Sequence, residues 1–118
     1  MAEPLDHSAI AELADVVLVA LGLRVAALVL YPPQADARTR MLVLADDLPP
    51  GPERAAYLAS HTPLGSLRDA DIVLRTPAEF AADPPGAYVE LLTGGRILTD
   101  RRGIVVARLR ELGGNRSG

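Results

Sequence analysis

LYPPQADARTRMLVLADD, from Leu30 to Asp47, joins the end of one apolar run to the whole of the next. Pro32 and Pro33 stop the first run, and Met41 to Ala45 is apolar throughout before Asp46, Asp47 and the breaker LPPGP close it. Two short apolar runs rich in Leu and Val, bounded by turn residues, predict two buried strands. Arg38 and Arg40 stand just ahead of the second strand. Alternate strand residues share a face, so the two guanidinium groups are expected side by side.

Outward from this segment the chain alternates helices with short strands. Ile10, Leu13, Ala14, Val17, Leu18 and Leu21 recur at helical spacing, and Gly22 is placed to end that helix. Arg24 to Tyr31 is apolar at nearly every position, the mark of an internal strand covered on both faces. After the central segment, Pro52 opens a short helix over Glu53 to Ala59, and Asp71 to Leu74 forms a third strand. Thr76-Pro77-Ala78-Glu79 has the capping-box form, with a hydroxyl at N-cap, proline at N1 and a carboxylate at N3. Tyr88 to Leu92 supplies a further turn of helix closed by Gly94, and Arg96 to Leu98 a fourth strand. Val105, Leu109 and Leu112 give a last helix its buried side, with Gly113-Gly114 as its stop.

The expected fold class is α/β (α+β), a short mixed β-sheet flanked by helices. Residues 1–114 make one domain and residues 115–118 a flexible polar tail.

Composition narrows the function classes. A chain of 118 residues suits one domain. With 3% aromatic residues its core is aliphatic. The net charge of −3 and the lack of a basic block argue against direct nucleic-acid binding, although all 12 basic residues are arginine. The absence of cysteine excludes disulfides, thiolate metal sites and cysteine nucleophiles. No basic region precedes the first apolar stretch, and the apolar run from Val16 to Tyr31 changes period near Gly22 and Arg24. A helix followed by a strand is expected there rather than a signal peptide or membrane span, with a cytoplasmic location by default.

The order of elements, with LVLADD (Leu42–Asp47), DIVLRTPAEF (Asp71–Phe80) and GGRILTDRRGIVVARLRE (Gly94–Glu111), resembles small nucleotidyltransferases of the DNA polymerase β superfamily. Members of that family carry Gly-Ser after a first strand, two aspartates one residue apart leading into a second, and a third carboxylate on a later strand. Paired carboxylates hold magnesium because oxygen ligands on one sheet face converge on the triphosphate. In this chain the Gly-Ser place holds Pro32 and Pro33, which lack the N–H groups of a phosphate cradle. The acidic pair falls on Arg38 and Arg40, whose guanidinium groups offer a metal no lone pair. Only Asp71 matches the third carboxylate. The catalytic set is therefore not intact, no metal cofactor is expected, and the chain leans away from being an enzyme.

An ion pair between Arg40 and Asp71 is expected to stand where the metal would be. The resemblance implies a degenerate nucleotidyltransferase-like binding or regulatory protein. Small prokaryotic members often work beside a helical HEPN-type partner, in some cases as toxin and antitoxin. Two alternatives stay open. One is an active, magnesium-dependent nucleotidyltransferase in which Asp36 or Asp46 joins Asp71. The other is a metal-free nucleotide or anion-binding module using Arg38 and Arg40.

The remaining polar residues carry weaker signals. His7 and His61 lack a second histidine at ligand spacing and read as surface or capping residues. Ser8, Ser60 and Ser66 stand outside any nucleophile-elbow pattern. Thr93-Gly94-Gly95 reads as a helix end rather than a phosphate loop. Arg101-Arg102 precedes a helix, where cations are disfavoured, so exposure or an acidic partner is expected. Val16, Val19, Ala20 and Ala26 widen the apolar surface enough to admit a homo-oligomer.

Overall fold

The computed structural model describes residues 6–33, 38–63 and 70–117. Its first helix, α1 (His7–Leu21), begins one turn before the apolar stripe, because Asp6 accepts a hydrogen bond from the Ala9 N–H at 2.8 Å and caps the free helix end. Gly22 ends it with φ 60°, in the left-handed region that glycine adopts without a Cβ clash. A 3-10 turn over Gly22–Arg24 leads into β1 (Val25–Leu30), which pairs with β2 (Thr39–Ala45). Arg24 thus belongs to the turn rather than to the strand.

The chain continues through α2 (Arg54–Ser60), β3 (Ala70–Arg75), α3 (Pro77–Ala82), α4 (Val89–Gly94), β4 (Arg96–Asp100) and α5 (Ile104–Ser117). Thr76 and Glu79 form the expected capping box at the start of α3. The last helix does not stop at Gly113-Gly114 but runs to Ser117. Glycine lowers helix stability by only about 1 kcal/mol per residue and does not forbid the conformation.

The four strands lie in the order β3-β2-β1-β4, with β2 and β3 parallel and the other pairs antiparallel. This is the expected mixed sheet flanked by helices. Every residue of β1 is buried, as its unbroken apolar run requires. One sheet face sends Leu28, Leu30, Met41 and Val43 against Leu13, Val17 and Leu21 of α1 and Leu58 of α2. The other sends Val29, Leu42 and Leu44 against Phe80, Tyr88, Leu91 and Val105. Ala26 and Ala27, although consecutive, both join this second cluster. A register shift between Val25 and Ala27 breaks the alternation there.

Ala26 is therefore core, and Ala20 packs on the first cluster, while Val19 is 83% exposed and Leu23 93%. Among the described residues, no helix is long and apolar enough to cross a membrane.

Arg54, the one buried charged residue among those described, ties the second half of the chain together. Its guanidinium meets Glu79 in a two-pronged pair at 2.6 and 3.1 Å, and also donates to the carbonyls of Pro49 and Leu74. Hydrogen bonds from Arg54 hold the Glu79 carboxyl down at about 2, helped by the Thr76 N–H. Beside it, Arg75 and the Tyr88 hydroxyl both donate to Asp83.

Candidate functional site

The strand directions gather one end of the sheet into a site. Antiparallel pairing sets Leu30 opposite Met41 on one side and Arg96 on the other, and parallel pairing sets Arg40 beside Asp71. The end of β1 and the starts of β2, β3 and β4 therefore coincide. A cavity of about 300 Å³ opens here, and the start of α1, with Asp6, His7 and Ile10, contributes to its wall. Leu30, Pro32, Pro33 and Gly94 supply apolar surface. Gly94 lets Pro32 approach closely, since a Cβ there would stand at a tight 3.1 Å from the Cβ of Pro32.

Arg38 and Arg40 both line this cavity, but they take different acidic partners. The Nε of Arg38 lies 3.4 Å from Asp71 Oδ1, and its Nη2 donates to the carbonyl of Ala70 at 2.9 Å. The guanidinium of Arg40 turns instead to Glu90 of α4, at 3.3 Å, and lies 4.2 Å from the ring centroid of Tyr31. The expected Arg40–Asp71 ion pair is thus replaced by two pairs. The physical reason is the Tyr31 ring: stacking on it draws the Arg40 head towards α4, and Glu90 offers a carboxylate there. Burial pushes the Tyr31 hydroxyl above its ordinary pKa, with Arg40 opposing and Glu90 adding to the rise.

The donor set does not suit a magnesium ion. Two of the three positions that the resemblance assigns to carboxylates present guanidinium groups, and Asp71 is engaged by one of them. Glu90 is committed to Arg40. Among the described residues, no group of three or more His, Cys, Asp or Glu side chains is placed to hold a metal ion.

Asp46 sits at the opposite end of β2, where it pairs with Arg102 at 2.9 Å. It cannot reach Asp71 without crossing the length of the strand. Asp47 has left the strand, at φ 56°. Asp36 and Ser66 lie outside the described residues.

No protein-family model matches the chain, and no curated protein matches its sequence. Solved toxin–antitoxin structures do share its architecture. The structure of a tri-AMPylated HEPN toxin from Shewanella oneidensis in complex with its MNT antitoxin matches with a TM-score of 0.58 at 14% identity, covering 92% of this chain and 87% of that one. Another structure from Shewanella oneidensis gives 0.59 at 15% identity, with 95% and 87% covered. The fold is nucleotidyltransferase-like. A toxin–antitoxin structure with AMP-PNP agrees, at TM-score 0.56 and 16% identity over 96% of this chain and 88% of that one. At such identities the likeness establishes architecture and leaves chemistry to the side chains.

In this nucleotidyltransferase-like chain several residues of the cavity escape a reading of the sequence. Glu90 comes from a helix 50 positions beyond Arg40, with nothing local to link them. Arg96 lines the cavity from β4, and its guanidinium lies 3.5 Å from the Nδ1 of His7. The Asp6 cap did carry a signal, as a side-chain acceptor just ahead of an apolar periodic run. His61 stays away from the cavity, stacked on Tyr57 and bonded to its carbonyl. Gly95 closes α4, its N–H donating to Leu91 O at 3.2 Å.

Proposed function

We propose that this chain is a catalytically inert nucleotidyltransferase-like protein that acts in the cytoplasm as a binding or regulatory module, with a helical HEPN-type protein as its partner. The observation that carries the reading is the pairing of Arg38 with Asp71 and Arg40 with Glu90. Cations occupy the side of the sheet where this fold would gather carboxylates, and the nearby acids neutralise them. Such a site has no means of holding the magnesium-bound triphosphate of nucleotidyl transfer. The partner follows from the neighbours, in which an MNT antitoxin is bound to a HEPN toxin.

The test is co-expression with HEPN-type proteins encoded in the same genome. A stable co-purifying complex is expected, with no nucleotide transferred to the partner when magnesium and ATP are supplied. Transfer of a nucleotide would overturn the inert reading. Failure of every such protein to associate would overturn the partner.

A second reading rests on the cavity itself. Arg38, Arg40 and Arg96 line a pocket with mainly apolar walls, which fits a metal-free site for an organic anion. The two readings are compatible, because an inert nucleotidyltransferase-like module can respond to a ligand without transforming it.

A further inference from the structure

Strand β3 is an edge of the sheet, and little blunts it. It pairs with β2 in unbroken register from Thr39↔Ala70 to Leu44↔Arg75, whereas the pairings of β1 with β2 and with β4 each carry a register shift. An edge strand without proline, lysine or bulge is the kind that accepts another strand. A groove of about 550 Å³ runs beside it, lined by the whole of β3 and by one side of α2, where Ala55 and Ala59 put no bulk in the way. Ile72 and Val73, at mid-strand, pack on the two core clusters from opposite faces and are each left partly exposed. Among the described residues, Asp71, Ile72 and Val73 make no backbone–backbone hydrogen bond outside the β2 ladder. The Leu74 carbonyl accepts from Arg54 at 3.1 Å and keeps a second lone pair.

The charges on this strand, Asp71 and Arg75, are opposite in sign and four positions apart. From the open edge and this charge order we infer that β3 pairs antiparallel with β3 of a second copy of the chain, about a two-fold axis at Val73. Each Asp71 then stands opposite Arg75 of the other copy, and the two four-stranded sheets become one of eight. Opposite charges across a ladder are favourable and like charges unfavourable, so a parallel copy in register, with Asp71 against Asp71, is disfavoured. Both groups have room for the new contact. Arg75 gives Nε and Nη2 to Asp83, but its Nη1 has Glu79 only at 3.9 Å. Asp71, although paired with Arg38, keeps a side chain 56% exposed. The neighbouring cavity is unaffected, since Arg40 and Glu90 take no part in the pairing.

The chain contains no cysteine, so single introduced cysteines report the register without background. Sedimentation equilibrium of the unaltered full chain, up to high micromolar concentration, is expected to show a reversible dimer. Val73→Cys, a change of similar size, would bring two thiols together across the axis, with Cα atoms roughly 5 Å apart. It is expected to oxidise to a covalent dimer about tenfold faster than Ala11→Cys, an exposed position on α1. Asp71→Cys and Arg75→Cys are expected to cross-link when mixed, and neither with itself, because like positions lie about 13 Å apart along the strands. Thermal melts confirm that the variants are folded.

A chain that stays monomeric at every concentration would overturn the inference. So would a dimer in which Val73→Cys gains no advantage over Ala11→Cys, or in which Asp71→Cys cross-links with itself. A monomer whose β3 amides become protected from hydrogen exchange only when a HEPN-type protein is added would also overturn it, and would assign the edge to that protein.

Discussion

Arg40 and Asp71 are register partners across the parallel β2–β3 ladder, yet their side chains belong to different ion pairs. Arg38 crosses to Asp71, and Arg40 stacks on Tyr31 to reach Glu90. Two cations are thus each matched by an acid at one end of the sheet. The arrangement is locally neutral, which removes the repulsion that two guanidinium groups on one strand face would otherwise create.

Reversing these charges should create the metal site that the native residues deny. In the double variant Arg38→Asp and Arg40→Asp, new carboxylates face Asp71 and Glu90. The expected outcome is a lower melting temperature in EDTA, through like-charge repulsion, and a rise of several degrees when magnesium is added. The unaltered chain is expected to show no such rise. Differential scanning fluorimetry with and without magnesium provides the check.

Glu79 is the acid whose loss should weaken the fold most directly. It accepts from buried Arg54 and closes the capping box with Thr76, so Glu79→Gln removes a charge-assisted pair and leaves Arg54 without its anion. A destabilisation of about 2 kcal/mol is expected in urea unfolding. Arg75→Gln, at a more exposed pair with Asp83, should cost less, about 1 kcal/mol.

The same network sets the pH limits of stability. Glu79 is held down from 4.5 to about 2, chiefly by Arg54. Its contribution is present above the unfolded carboxyl's pKa and is lost as pH falls from about 4.5 towards 2. Burial pushes the Asp83 carboxyl up, but hydrogen bonds from Tyr88 and Arg75 outweigh it and leave it below its ordinary value, which adds to the acid loss. Tyr88 runs the other way. Burial and its bond to Asp83 raise it from 10.0 to about 12, so its contribution is intact below pH 10 and is lost between there and about pH 12. Melting temperatures across pH should fall at both ends, and in Glu79→Gln the acid fall should shrink.

Gly95 should tolerate no side chain. A Cβ at this position would lie 2.9 Å from the backbone of Leu91, in the turn that feeds β4. Gly95→Ala is expected to cost about 1–3 kcal/mol, because backbone must move to admit the methyl group. Gly51→Ala, where a Cβ meets nothing within 4 Å, is the control and should unfold at nearly the native denaturant concentration.

What can be read from the sequence follows the range of the interactions. The stripe from Ile10 to Leu21, the unbroken apolar run of β1 and the Thr76–Glu79 cap are local patterns, and each appears where its spacing places it. The start of α1 depends on one residue, Asp6, and the end of α5 on a glycine pair that the helix tolerates. Arg54 looks like an ordinary helix former until Leu74 and Glu79 fold against it. Part of the site was visible in the sequence, in Pro32 and Pro33, in Arg38 and Arg40 on one strand and in Asp71 on the next. Glu90 and Arg96 reach it through the crossing of α4 and β4, and no local spacing encodes that approach. The choice of Arg38 over Arg40 for Asp71 depended on the Tyr31 ring, a side-chain preference that strand register alone does not specify.

The central claim is that guanidinium groups have displaced the chemistry this fold could support. Incubating the purified chain, and any HEPN-type protein that co-purifies with it, with magnesium and radiolabelled ATP tests it most directly. The account predicts no label on either protein and no nucleotide-dependent heat from magnesium addition. A nucleotide covalently attached to the partner, formed in magnesium and absent in EDTA, would contradict it.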